Sequence, residues 1–174
     1  MKQITLEIPD GKTLKLKDGA YVIVDNNIME RIKTWEDVVA ELGYDPSAAY
    51  KDAPKDILAY VKIRAIAQVL NEGWVPEFSE DECRYYPYYY YYTKKEWEAL
   101  SEGERKQLGE MVLLVGGTSS LGSISGPFYV HSYSAWSDAS SYLGARLAFK
   151  SRELAKYAGR QFFDIYKDFC FITE

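Results

Sequence analysis

The sequence predicts an α+β fold, and three features carry that expectation. Apolar and polar residues alternate over the first 25 positions, the period of a strand. Apolar residues then recur at intervals of three and four between Pro54 and Asn71 and again after Ser151, the period of a helix. Between these lie short apolar runs separated by Gly and Ser, which suit a small sheet. The expected architecture is an N-terminal antiparallel meander, several helices, a small mixed or antiparallel sheet and a long C-terminal helix. At 174 residues the chain suits a single domain, 1–174, with the meander at 1–27 a candidate subdomain.

Each element has a local cause. Ile4, Leu6 and Ile8 alternate up to the turn Pro9-Asp10-Gly11; Leu14 and Leu16 alternate with lysines; after Lys17-Asp18-Gly19, Tyr21 to Val24 complete a three-stranded meander with one wet face. Thr34 is the expected N-cap of a helix over Trp35–Leu42, with Glu36 and Asp37 at the positive end of its dipole and Gly43 ending it. Pro54 opens the longest helix, since its missing donor is not needed in a first turn, and Gly73 follows as a stop. Its apolar stripe is Ile57, Leu58, Val61, Ala65, Ile66, Val69 and Leu70. Capping boxes at Ser79–Glu82, Thr93–Glu96 and Ser101–Glu104 predict a turn at 80–84 and helices over 94–100 and 102–111. Strands are expected at Met111–Val115, Phe128–Tyr133 and 146–150. Ser151 caps the last helix, with Leu154, Ala158, Phe162, Ile165 and Phe169 on one side.

Two segments stand apart. Tyrosine fills seven of the eight positions from Tyr85 to Tyr92, broken by Pro87. On a strand, Tyr86, Tyr88, Tyr90 and Tyr92 share one face and Tyr85, Tyr89 and Tyr91 the other. Each buried phenol needs a hydrogen-bond partner, so at least one face is expected to be exposed or at an interface. Pro87 predicts an edge strand or a bulge. The second segment, 112–145, has Asp138 as its sole formal charge and holds nine serines, five glycines and three tyrosines. That mixture matches antibody-type binding loops, where aromatics supply area and Ser and Gly supply adaptability.

Charge and chemistry narrow the function. The net charge of −5 disfavours general nucleic-acid binding. No apolar run reaches a membrane span, and the N-terminal MKQITLEIPDGK lacks a signal peptide's apolar stretch, so a cytosolic environment is expected. Cys83 and Cys170, with one histidine, do not make a zinc site, and no metal or cofactor is expected. Gly116 to Gly122 lacks the ending of a phosphate loop, and no nucleophile–base pair is visible.

The stretch Gly144-Ala-Arg-Leu-Ala-Phe-Lys-Ser-Arg-Glu-Leu-Ala to Phe162, with Trp136-Ser before it, resembles a family of phage and prophage proteins of gut bacteria. The likeness extends to Pro54–Tyr60, Leu70–Trp74 and Tyr85-Tyr-Pro87. Residues 112–150 are also similar to the variable, ligand-facing part of retroelement-diversified C-type-lectin-like proteins, although a long helix after the motif departs from that fold. The resemblance implies a phage-derived binding protein, located in the host cytoplasm or a virion. The leading expectation is therefore a non-catalytic recognition protein for a protein or glycan ligand, open to homo-oligomerisation. Its expected contacts are Tyr89, Tyr91, Phe128, Tyr129, His131, Tyr133, Trp136 and Tyr142. The alternative is an intracellular effector that sequesters a small anionic ligand or blocks a host protein, with Arg84, Arg146, Lys150 or Arg152 facing a pocket. Third comes a carboxylate-dependent hydrolase using Glu77 or Asp81.

Overall fold

A computed structural model describes residues 5–17, 19–77, 82–108, 113–115, 129–135 and 144–170. The fold is α+β. A hairpin of β1 (Lys12–Lys17) and β2 (Ala20–Asp25) leads into α1 (Ile28–Arg31), α2 (Trp35–Leu42) and α3 (Lys55–Leu70). Next come β3 (Arg84–Thr93), α4 (Lys94–Ala99), α5 (Glu102–Leu108), β4 (Leu113–Val115), β5 (Tyr129–Ala135), α6 (Arg152–Gln161) and α7 (Phe163–Cys170). The expected meander is a two-stranded hairpin: residues 5–9 form no strand. Its outward face leaves Leu16, Tyr21 and Ile23 exposed.

Helix ends follow the capping chemistry. Thr34 Oγ1 accepts from the Asp37 N–H (3.2 Å), and the Asp37 carboxylate accepts from the N–H groups of Thr34 and Lys33, both at 2.9 Å. These donors, Lys33's first, hold the Asp37 carboxyl below the ordinary aspartate value. Gly43 closes α2 in the left-handed conformation. Ser101 and Glu104 form the same reciprocal box at α5, while at α6 the Ser151 hydroxyl accepts from the Leu154 N–H.

The core is built around α3. Ile63, Ile66 and Leu70 are fully buried, joined by Ile32, Val38, Phe149, Leu154, Ala158 and Phe162. Ile57, expected on the buried stripe, is exposed instead, because the packed side of α3 runs through Ala59, Ile63, Ile66 and Leu70. The expected single C-terminal helix breaks at Phe162 (φ −111°, ψ 30°), and α7 turns to pack on α3. The break leaves a carbonyl in the last turn of α6 to be satisfied: Gly159 accepts from the Tyr89 hydroxyl at 3.0 Å.

The sheet order is β4-β3-β5, with β3–β4 parallel and β3–β5 antiparallel. Strand β3 is thus central in the order, and its register with β5 runs unbroken from Arg84↔Ala135 to Tyr90↔Tyr129, with no bulge at Pro87. Tyr85 instead exchanges both backbone bonds with Phe149 (3.1 and 2.8 Å), on the side away from β5. Residues of the same parity, Pro87 included, turn their main-chain groups that way, so the missing donor removes no bond to β5. The expected strand over 146–150 reduces to this bridge at Phe149, preceded by a 3-10 turn over Ala145–Leu147.

Candidate functional site

The tyrosine strand is partly core. Tyr86 and Tyr89 are buried while Tyr88 stays 45% exposed. Tyr89, expected at the binding surface, packs its ring on Phe163 (5.9 Å) and Tyr166 (6.0 Å), and its hydroxyl is the one that satisfies Gly159. Burial raises the Tyr86 phenol above its ordinary value, opposed by a hydrogen bond and the charge of buried Arg84. Tyr91 lies in register with Leu113; Tyr129, His131 and Tyr133 lie opposite Tyr90, Tyr88 and Tyr86. Phe128, Trp136, Tyr142 and Asp81 fall outside the described residues. Glu77 is exposed, and its N–H donates to the Glu82 carboxylate at 2.6 Å.

Of the four cations named for an anion pocket, Arg146 lines a concavity. Arg84 is buried and donates to the Glu77 carbonyl (3.1 Å), Lys150 pairs with Glu72 (3.4 Å), and Arg152 is exposed at the start of α6. The concavity lies against α3. Tyr60, Arg64, Gln68 and Asn71, the residue that caps α3, recur at three and four along its groove side; Arg64 and Gln68 are exposed, Tyr60 is half-buried against the core and Asn71 is buried. Trp74 and Pro76 form one wall and Gly144 to Arg146 the other, enclosing about 490 Å³.

Two local devices shape these walls. Glu72 (φ 50°) and Gly73 (φ 87°) are both left-handed, which turns the chain sharply so that Trp74 follows directly on the end of α3. The strained Glu72 is held from both sides, by Arg31 at 2.8 Å and by Lys150. On the other wall, Gly144 (φ 68°, ψ 149°) takes a conformation reserved for glycine, and the turn after it buries Leu147 and Ala148 while Arg146 points out. The walls are tied by Asn71, which is 4% exposed. Its Nδ2 donates to the Ala148 carbonyl (2.8 Å), and its Oδ1 accepts from the Lys150 N–H (3.0 Å).

A second trough of about 510 Å³ continues along α3, sharing Tyr60, Arg64 and Gln68 and reaching Tyr44, Pro46, Tyr50 and Ile57. Among the described residues lining the two troughs, Arg64 and Arg146 are the sole charged ones, on a chain of net charge −5. Among the described residues neither guanidinium has a hydrogen-bond or ion-pair partner. The site thus offers fork-shaped cationic donors between aromatic surfaces, an arrangement that binds carboxylates or phosphates. No group of three or more His, Cys, Asp or Glu is placed to hold a metal among the described residues. The arginine pair was half legible: Arg146 stands in the quoted motif, whereas Arg64 was hidden inside a helix read for its apolar positions. Comparisons with protein-family models, curated proteins and solved structures gave no match to this chain.

Proposed function

We propose that the chain is a non-catalytic recognition protein, phage-derived by its resemblance, whose binding surface is the groove along α3 and whose ligand is anionic. The observation that supports this most is the pair Arg64 and Arg146, exposed between Tyr60 and Trp74, with no partner and no lining carboxylate among the described residues. In an acidic chain, surface arginines gain from neighbouring carboxylates, so two left facing one groove are donors reserved for a ligand.

Titration calorimetry with pyrophosphate at low salt tests the reading. Each charge-assisted contact contributes about 1.5 kcal/mol, so Arg64→Gln with Arg146→Gln weakens binding on the order of 100-fold. Both side chains are exposed, so the melting temperature holds. Equal affinity in the double variant and the parent contradicts the assignment. A second reading keeps a protein or glycan ligand on the tyrosine strand, where the 45% exposure of Tyr88 supports it; there Tyr88→Ala abolishes binding to a glycan panel and the arginine variants do not.

A further inference from the structure

We infer that the occupant of the α3 groove is an extended, acidic segment of a partner protein with an apolar residue at one end. This rests on the reading of the groove as the binding surface and adds the class of ligand. Three observations point to it.

The first is length. The two troughs adjoin, sharing Tyr60, Arg64 and Gln68 in their linings, so together they follow α3 from Ile57 to Asn71. At 1.5 Å rise per residue that span is about 21 Å. A small anion would occupy a fraction of it, whereas an extended chain covers it with about seven residues.

The second is the order of the lining. The far end is apolar and open: Tyr44 is 58% exposed, Tyr50 43% and Ile57 43%. Arg64 comes one step along, and Arg146 with Trp74 closes the other end. Shallow grooves lined by Tyr, Trp and Pro suit polyproline II segments, which are extended before they bind and lose little entropy. That helix repeats every three residues, about 9 Å, so side chains at positions one, four and seven share a side. On α3, Ile57 to Arg64 and Arg64 to Asn71, which holds the Arg146 wall, are each about 10 Å apart. An apolar residue at position one and carboxylates at four and seven therefore meet the apolar end, Arg64 and Arg146 in turn.

The third is charge. A seven-residue acidic peptide meets only the arginine-lined groove, while a nucleic acid would run beyond it over a surface whose net charge is −5. That repulsion acts over a screening length of about 10 Å at 0.1 M salt, which favours the short occupant.

Fluorescence anisotropy with the intact chain and a fluorescein-labelled peptide, Leu-Pro-Pro-Glu-Pro-Pro-Glu, tests the inference. Saturable binding is expected, weakened at least 10-fold by Arg64→Gln with Arg146→Gln, by replacing both peptide glutamates with Gln, and by replacing its Leu with Gly. Pyrophosphate binding without peptide binding overturns the inference and leaves the anion site standing. Tighter binding of a ten-nucleotide oligothymidine than of the peptide also overturns it. Failure of both the peptide and pyrophosphate overturns the site itself.

Discussion

Removing the Asn71 side chain beyond Cβ, in Asn71→Ala, tests how the groove is assembled. The amide makes one bond in each direction to the segment opposite: Nδ2 to the Ala148 carbonyl and Oδ1 from the Lys150 N–H. Ala148 is 1% exposed, so its carbonyl loses its partner in a buried setting once the amide is gone. An orphaned buried acceptor costs about 1–3 kcal/mol, and Lys150, being exposed, adds about 1 kcal/mol as water replaces the partner. The total is about 2–4 kcal/mol. For a domain of this size that lowers the melting temperature by roughly 5–12 °C. Because Arg146 is mounted on the same segment, pyrophosphate affinity should fall with it. Asn71→Asp provides a sharper control. It keeps the acceptor for Lys150 but sets an anionic oxygen against the Ala148 carbonyl, raising the pKa of the new carboxyl. Its loss is therefore large at neutral pH and shrinks as acid protonates that carboxyl. Thermal melts by circular dichroism at pH 7 and pH 4 read both. A drop of less than about 2 °C for Asn71→Ala would show that the amide does not hold the walls.

Other perturbations separate neighbouring roles. Tyr89→Phe loses the bond to Gly159 and should cost about 1–2 kcal/mol, whereas Tyr166→Phe removes a buried hydroxyl without a partner among the described residues and should leave the melting temperature unchanged or raised. The Asp37 carboxyl lies lower in the folded chain than in the unfolded one. Its contribution is thus present above the ordinary value near ~4 and lost as pH falls through the folded value; Asp37→Asn should flatten the acid limb of a stability–pH curve. Burial raises the phenols of Tyr86, Tyr157 and Tyr166, so stability should fall as pH rises above about 10, less steeply in Tyr166→Phe. Glu41 bridges Lys15 and Arg31, fastening the hairpin to α1 and α2; Glu41→Gln should cost about 1 kcal/mol in low-salt denaturant titrations and almost nothing in ~1 M salt.

The elements that formed where the sequence predicted them are those with local causes. The caps of α2, α5 and α6 and the Pro54 start of α3 each depend on residues within four positions. What depended on distant partners was not legible. Nothing local tells Ile4 to Ile8 that no strand pairs with residues 5–9, or tells α6 to break at Phe162 so that α7 reaches α3. Strand alternation also misjudged the tyrosines. Tyr86 and Tyr89 differ in parity, yet both are buried, because Phe163 and Tyr166 cover one and Arg84 meets the other. Requiring a partner for a buried phenol was sound for Tyr89 and Tyr86, to which Gly159 and Arg84 supply one, but not for Tyr166, whose buried hydroxyl has none among the described residues. Asn71 gave no signal, because a polar residue after a helix reads as an ordinary cap until the 148–150 segment is seen beside it.

The arginine pair is tested most directly by following Arg Nε–Hε resonances by NMR while pyrophosphate is added to the intact chain. The signals of Arg64 and Arg146 should shift together and saturate, while those of Arg31, held by Glu41 and Glu72, and of buried Arg84 stay in place. Shifts confined to other arginines, or linear drifts across all of them, would contradict a binding site in the α3 groove.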